Sequence, residues 1–448
     1  MIRLEKAMIH QYKCIEKPQE LQVKKDITVL MGCNEAGKTS VLEALAKSDY
    51  FDRRDERFAY NCLYDYPRRI QRELEKSRKV PMAVTLTFRV EGELLNQIRE
   101  EMLSVPKSPR FSRETNYSGQ HHIIQNEFEY DAVSFWEAYA SQKEIELSRF
   151  CKGLAGLHTK EEYQRFCERM KSSASKEEMD SLKKVERFFE NPHQWENPLN
   201  EYVFRVFLLP NIPKFMYYDD YYILPGRISL DDLSKNENLT PSERTAKAFL
   251  ALAEIDIEKI KASNMTEEYK IELETAQSKI TEEFLKYWKN NPNLRIVFEV
   301  IKEPLLDKTK KHIFFRRKKE TRYHTWLEIR LQNLKTGVSL PLENQSRGFN
   351  WFFSFWIWFK AVQKTEETPY ILLLDEPGMN LYKTAQKDLV DLMDDLSKQY
   401  QILFTTHSEY ILWQMPDRVY CVSTEEDGTN IRPLRTEGLF QKQTGTKK

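Results

Sequence analysis

The chain has 448 residues, 40% of them hydrophobic and 31% charged, and Lys+Arg equals Asp+Glu at 69 each. This length allows two or three domain-sized units. The neutral balance excludes a globally polybasic or polyacidic binding mode, so nucleic-acid affinity would have to come from a local patch.

Six cysteines (14, 33, 62, 151, 167, 421) include no C-x-x-C pair, which points to reduced thiols in a cytoplasmic protein rather than a disulfide frame or zinc site. The opening "MIRLEKAMIH" lacks the apolar stretch of a signal peptide. In chain order, residues 1–32 read as short strands, and "DITVLMG" (26–32) is an apolar run leading into a glycine-bearing loop. "TSVLEALAK" (39–47) then carries Val41, Leu42 and Leu45 on one helical face, and "MAVTLTFRVEG" (82–92) alternates like a strand. From 93 to about 290 the chain is lysine- and glutamate-rich with helical spacing, notably at 160–190 and 245–288, which predicts long helices or a short antiparallel coiled coil. The aromatic stretch 213–227 is β-prone and reads as core and strand pairing. Strands return at 294–301 and 325–333, and the last hundred residues alternate strand and helix. The apolar run 349–359 is too short to span a bilayer, so no membrane partner is expected. The expected division is 1–92 and 291–448 as two parts of one α/β unit, with 93–290 inserted as a mostly helical lobe.

Three stretches carry chemistry. Gly32-Cys-Asn-Glu-Ala-Gly37-Lys38-Thr39, followed by Ser40, fits G-x-x-x-x-G-K-[ST] between a predicted strand and a predicted helix. Its glycines let backbone N–H groups curl around phosphate oxygens at a helix N-terminus, where Lys38 reaches the β- and γ-phosphates and Thr39 faces Mg²⁺. In "YILLLDEPG" (370–378) an apolar strand ends in two carboxylates, Asp375 suited to Mg²⁺ and Glu376 to orienting or deprotonating water. In "QILFTTHSEYIL" (401–412) another strand ends at His407, which can report the γ-phosphate.

Taken together these stretches resemble the ABC-type ATPase heads of the SMC, RecF and OLD proteins, over about residues 1–90 and 325–425. The resemblance implies an α/β ABC-type P-loop head with an inserted helical or coiled-coil lobe, ATP and Mg²⁺ as cofactors, and Asn34 two positions after the first glycine, as in that class. It also implies a signature segment closing over the ATP of a second subunit. "ENQSRGFNWFFSF" (343–355) is the best match, through Ser346 and Gly348, although it departs from Leu-Ser-Gly-Gly-Gln. "DEPGMNLYKTAQKDLVDLMDDL" (375–396) is OLD-like, with Tyr382 where that group commonly has histidine.

OLD nucleases carry a Toprim domain after the ATPase, and about forty residues follow His407 here. The resemblance therefore extends to the stand-alone ATPases of two-component anti-phage systems, PtuA of Septu and AriA of PARIS, or to the ATPase part of a longer OLD nuclease. It implies a homo-oligomer of at least two heads holding a separate effector, a nuclease or toxin, with DNA or a phage protein as trigger. A RecF-like DNA-maintenance ATPase is the alternative. "KTKKHIFFRRKKETR" (308–322), with eight Lys or Arg, suits a phosphate backbone or a solvated hairpin tip equally.

Overall fold

The computed structural model describes residues 1–434 except 78, 105, 125–127, 144–145, 220–221, 236–238, 263–266, 305–322, 366–368 and 427. The basic stretch 308–322, with Arg316, Arg317, Lys318 and Lys319, thus falls outside the described residues.

The N-terminal part runs β1 (Ile2–Ile9), β2 (Gln19–Gln22), β3 (Ile27–Met31), α1 (Lys38–Ser48), β4 (Met82–Val90), β5 (Arg110–Asn116) and β6 (His121–Ile124). Short helices fill most of 132–211, followed by β7 (Lys214–Tyr218) and β8 (Arg227–Ser229) and by helices Pro241–Leu252, Ile257–Ala262 and Glu267–Leu285. The chain closes with β9 (Leu294–Pro304), β10 (Tyr323–Asn333), β11 (Ser339–Pro341), helix Arg347–Thr365, β12 (Tyr370–Leu374), helix Lys383–Leu396, β13 (Gln401–Thr406), β14 (Val419–Glu425) and β15 (Gly428–Pro433).

The central sheet has the order β15-β14-β3-β13-β12-β7, in which β14, β3, β13, β12 and β7 run parallel. Its strands are almost continuously apolar because both faces are covered. The two-residue strand period sends Ile371, Leu373 and Leu403 into a core shared with Val41, Leu42 and Leu45 of α1. Leu372, Leu374, Ile402 and Phe404 face the opposite core. That second core is filled by helix Arg347–Thr365, whose Phe352, Phe353, Phe355, Trp356 and Phe359 are all buried. A helix apolar on every side has to be an interior one. Beside the central sheet stand an antiparallel sheet ordered β2-β1-β4-β5-β6 and a second one built on β10, which pairs with β8, β9 and β11.

The 93–290 stretch is less uniformly helical than its composition predicts. β5 and β6 extend the β1–β4 sheet, and β7 is an edge strand of the central sheet itself. The periodic stretch 160–190 is broken into helices Lys160–Met170 and Lys176–Val185. Each opens with a capping box, Thr159 with Glu162 and Ser175 with Glu178, and the second box restarts the chain as a separate short helix. Among the described residues no helix is long and apolar enough to cross a membrane.

Candidate nucleotide site

Parallel pairing puts the C-terminal ends of β3, β13, β12 and β7 side by side, so Gly32, His407, Asp375 and Asp219 emerge along one sheet edge. The loop after β3 passes against β14 so closely that a Cβ on Gly32 would sit 2.1 Å from the Val422 carbonyl oxygen. Gly37, at φ 98°, is the N-cap of α1 and makes no side-chain cap, which leaves the helix's first N–H groups directed at the loop.

Lys38 is 5% exposed. Its Nζ donates to the carbonyls of Gly32 (3.2 Å) and Cys33 (3.0 Å), and lies 2.8 Å from His407 Nε2 and 3.5 Å from Glu376 Oε1. His407 Nε2 is also 2.9 Å from the same Glu376 oxygen. One imidazole nitrogen either accepts or donates, so Nε2 serves Lys38 as acceptor or Glu376 as donor, never both at once. A phosphate that drew Lys38 away would therefore free His407 to donate. Glu376 has φ 48°, a left-handed conformation rare outside glycine, and its N–H is held by Thr405 Oγ1 at 2.7 Å.

Asp375 accepts three hydroxyls. Thr39 Oγ1 lies 2.9 Å from Oδ2 and 3.1 Å from Oδ1, Thr405 Oγ1 donates to Oδ1 at 2.7 Å, and Tyr217 OH donates to Oδ2 at 3.1 Å. Burial and the neighbouring Asp375 carboxylate push the Tyr217 phenol far above its ordinary pKa, so it stays a donor. Thr39 and Asp375 border a cavity of about 350 Å³ together with Glu43, Asp219 and Gly348, and a second cavity of about 520 Å³ opens on the other side of Glu376, past His407 and Lys383. An exposed hydroxyl and a carboxylate at the mouth of such a cavity are the hard oxygen donors Mg²⁺ takes alongside phosphate oxygens. The donor set fits that ion.

The remaining predicted residues are placed as follows. Asn34 is exposed on the loop, and half-buried Ser40 lies 3.4 Å from Cys14 Sγ. Ser346 is exposed and accepts from the Phe349 N–H, capping its helix. Gly348 is buried, and a Cβ there would meet Asn380 O at 2.7 Å. It lines the cavity next to Asp375 of its own chain, whereas the resemblance implies contact with a second subunit's ATP. Sequence reasoning missed Tyr217 and Thr405. Thr405 stands two residues before His407 and could have been suspected, but Tyr217 lies in an aromatic strand with nothing to mark it.

Comparison with known proteins gives three findings. The family described as AAA ATPase domain (AAA_15) matches residues 3–412. A stretch of 73 residues is 34% identical to the uncharacterized protein MJECL43 of Methanocaldococcus jannaschii, taking in 16% of this chain and 19% of that one, so the chain spans about a fifth of that curated relative. Among solved structures, an Smc head bound to the C-winged helix domain of ScpA is 14% identical with a TM-score of 0.43, covering 98% of this chain and 99% of its own. An Smc head with an extended coiled coil bound to the C-terminal domain of ScpA, from Pyrococcus furiosus, is 16% identical with a TM-score of 0.40, covering 99% of each chain. A phosphate loop, two strand-end carboxylates and a strand-end histidine on one sheet edge, within a family match spanning 3–412, lead to one conclusion: this chain belongs to the AAA ATPase domain family.

Proposed function

We propose that the chain is a Mg²⁺-dependent ATP-hydrolysing switch that pairs head to head around ATP and holds or activates a separate effector, a nuclease or toxin, in anti-phage defence. The observation that carries the hydrolytic part is the convergence of Lys38, Glu376 and His407 within 3.5 Å, next to the Thr39–Asp375 pair. Lys38 would take the β- and γ-phosphates. Thr39 and Asp375 would hold Mg²⁺, which neutralises charge developing on the phosphate oxygens. Glu376 would orient the attacking water and accept its proton, and His407 would donate to the γ-phosphate once Lys38 has left its Nε2. The defence role rests on the OLD-like run 375–396, and the head-to-head arrangement on Ser346 and Gly348.

The test is phosphate release together with size by light scattering, with and without ATP, on wild type, Lys38→Ala and Glu376→Gln co-expressed with the neighbouring gene product. Glu376→Gln should hold a larger ATP-dependent assembly that retains the partner while phosphate release falls about 100-fold or more; Lys38→Ala should not assemble. If no variant changes size or retains a partner, the gated-effector reading fails. The RecF-like reading, for which the eight cations of 308–322 are the candidate DNA contact, then gains ground. Its signature is salt-sensitive DNA binding lost on neutralising Arg316, Arg317, Lys318 and Lys319.

A further inference from the structure

We infer that Tyr217 is a positioning residue that fixes the orientation of the Asp375 carboxylate presented to Mg²⁺; this rests on reading Asp375 as a metal-binding carboxylate. β7 pairs in parallel with β12 so that Tyr217 stands opposite Leu373. Paired residues share a sheet face, and Asp375 lies two positions beyond Leu373, so the phenol and the carboxylate point the same way. Tyr217 is 4% exposed, its ring packs 5.5 Å from Phe58, and its backbone carbonyl accepts Tyr50 OH at 3.4 Å, so both the ring and the strand that carries it are confined.

The carboxylate is gripped at both ends. Thr405 Oγ1 donates to Oδ1 at 2.7 Å and Tyr217 OH to Oδ2 at 3.1 Å, so rotation about the Cβ–Cγ bond would break both bonds. Thr39 Oγ1, the other predicted metal ligand, faces the same pair of oxygens. Partners behind a ligating carboxylate typically change metal affinity by about 10- to 100-fold when removed. Tyr217→Phe keeps the ring and deletes only the donor.

The experiment is titration of a fluorescent ATP analogue into wild type, Tyr217→Phe and Asp375→Asn, in EDTA and across a Mg²⁺ series. Tyr217→Phe should bind the nucleotide as wild type does in EDTA yet need about ten times more Mg²⁺ to reach the metal-enhanced affinity. Equal Mg²⁺ midpoints for Tyr217→Phe and wild type, with the response lost in Asp375→Asn, overturn the role of Tyr217 and leave the Asp375 site standing. Weakened binding of Tyr217→Phe in EDTA, with no change in the Mg²⁺ midpoint, assigns the tyrosine a purely structural role and also overturns the inference. A normal Mg²⁺ response in Asp375→Asn removes the metal-site reading itself.

Discussion

Thr405 uses one oxygen twice, donating to Asp375 and accepting the N–H of Glu376. The second bond holds a non-glycine residue at positive φ, and so aims the carboxylate expected to handle the water. Thr405→Val preserves shape but orphans that N–H, at a cost of about 1–3 kcal/mol. Single-turnover phosphate release at saturating Mg²⁺ should slow at least ten-fold, because Glu376 loses its aim, and the Mg²⁺ midpoint for nucleotide binding should rise as well, because the same hydroxyl holds Asp375. Lys38 and Asp375 are legible in the sequence because a loop motif and a strand end fix their surroundings. Thr405 is marked only by its place two residues before His407, and Tyr217 is not marked at all, since a hydroxyl on a strand becomes meaningful only when register sets a carboxylate beside it.

Among the elements, helix Arg347–Thr365 ties the second core to the site through its first turn. Gly348 sits against the backbone of Asn380, on the loop that follows Asp375 and Glu376. An added Cβ would contact Asn380 O at 2.7 Å and Leu381 Cδ2 at 2.8 Å, so the loop or the helix has to move. Gly348→Ala should cost about 1–3 kcal/mol in urea unfolding. A wild-type unfolding midpoint would show that the contact relaxes freely. The strongly apolar elements were legible, because β3, β12 and β13 are runs of buried residues. β5 was not, since "RFSRETN" holds a single apolar residue, Phe111, and buries Ser112, Arg113 and Thr115. The helix break at Ser175 is written in its capping box, which the hydrophobic period running across it masks.

For the molecule as a whole, stability should fall on mild acidification. His10, just past the end of β1, accepts or donates at Thr85 Oγ1 of β4, and burial lowers its pKa below the ordinary 6.5, with Glu114 opposing. The unfolded chain then binds a proton that the folded one refuses, so stability is full above pH 6.5 and declines as pH drops from there toward the depressed folded value. His10→Gln should reduce the fall in thermal midpoint between pH 7.5 and pH 5.5 compared with wild type. An identical fall in both would place the sensitivity elsewhere.

The Lys38–His407 contact joins residues 369 positions apart. At a ribosomal rate of about 5–20 residues per second, the phosphate loop waits roughly 20–70 s for its histidine. During that interval β3 has neither β13 nor β14 beside it, and both flanks of a largely apolar strand stand open. A newborn chain is thus an aggregation hazard for most of its synthesis, and it cannot grip nucleotide with the complete set of groups until the strand ending at Thr406 has left the ribosome.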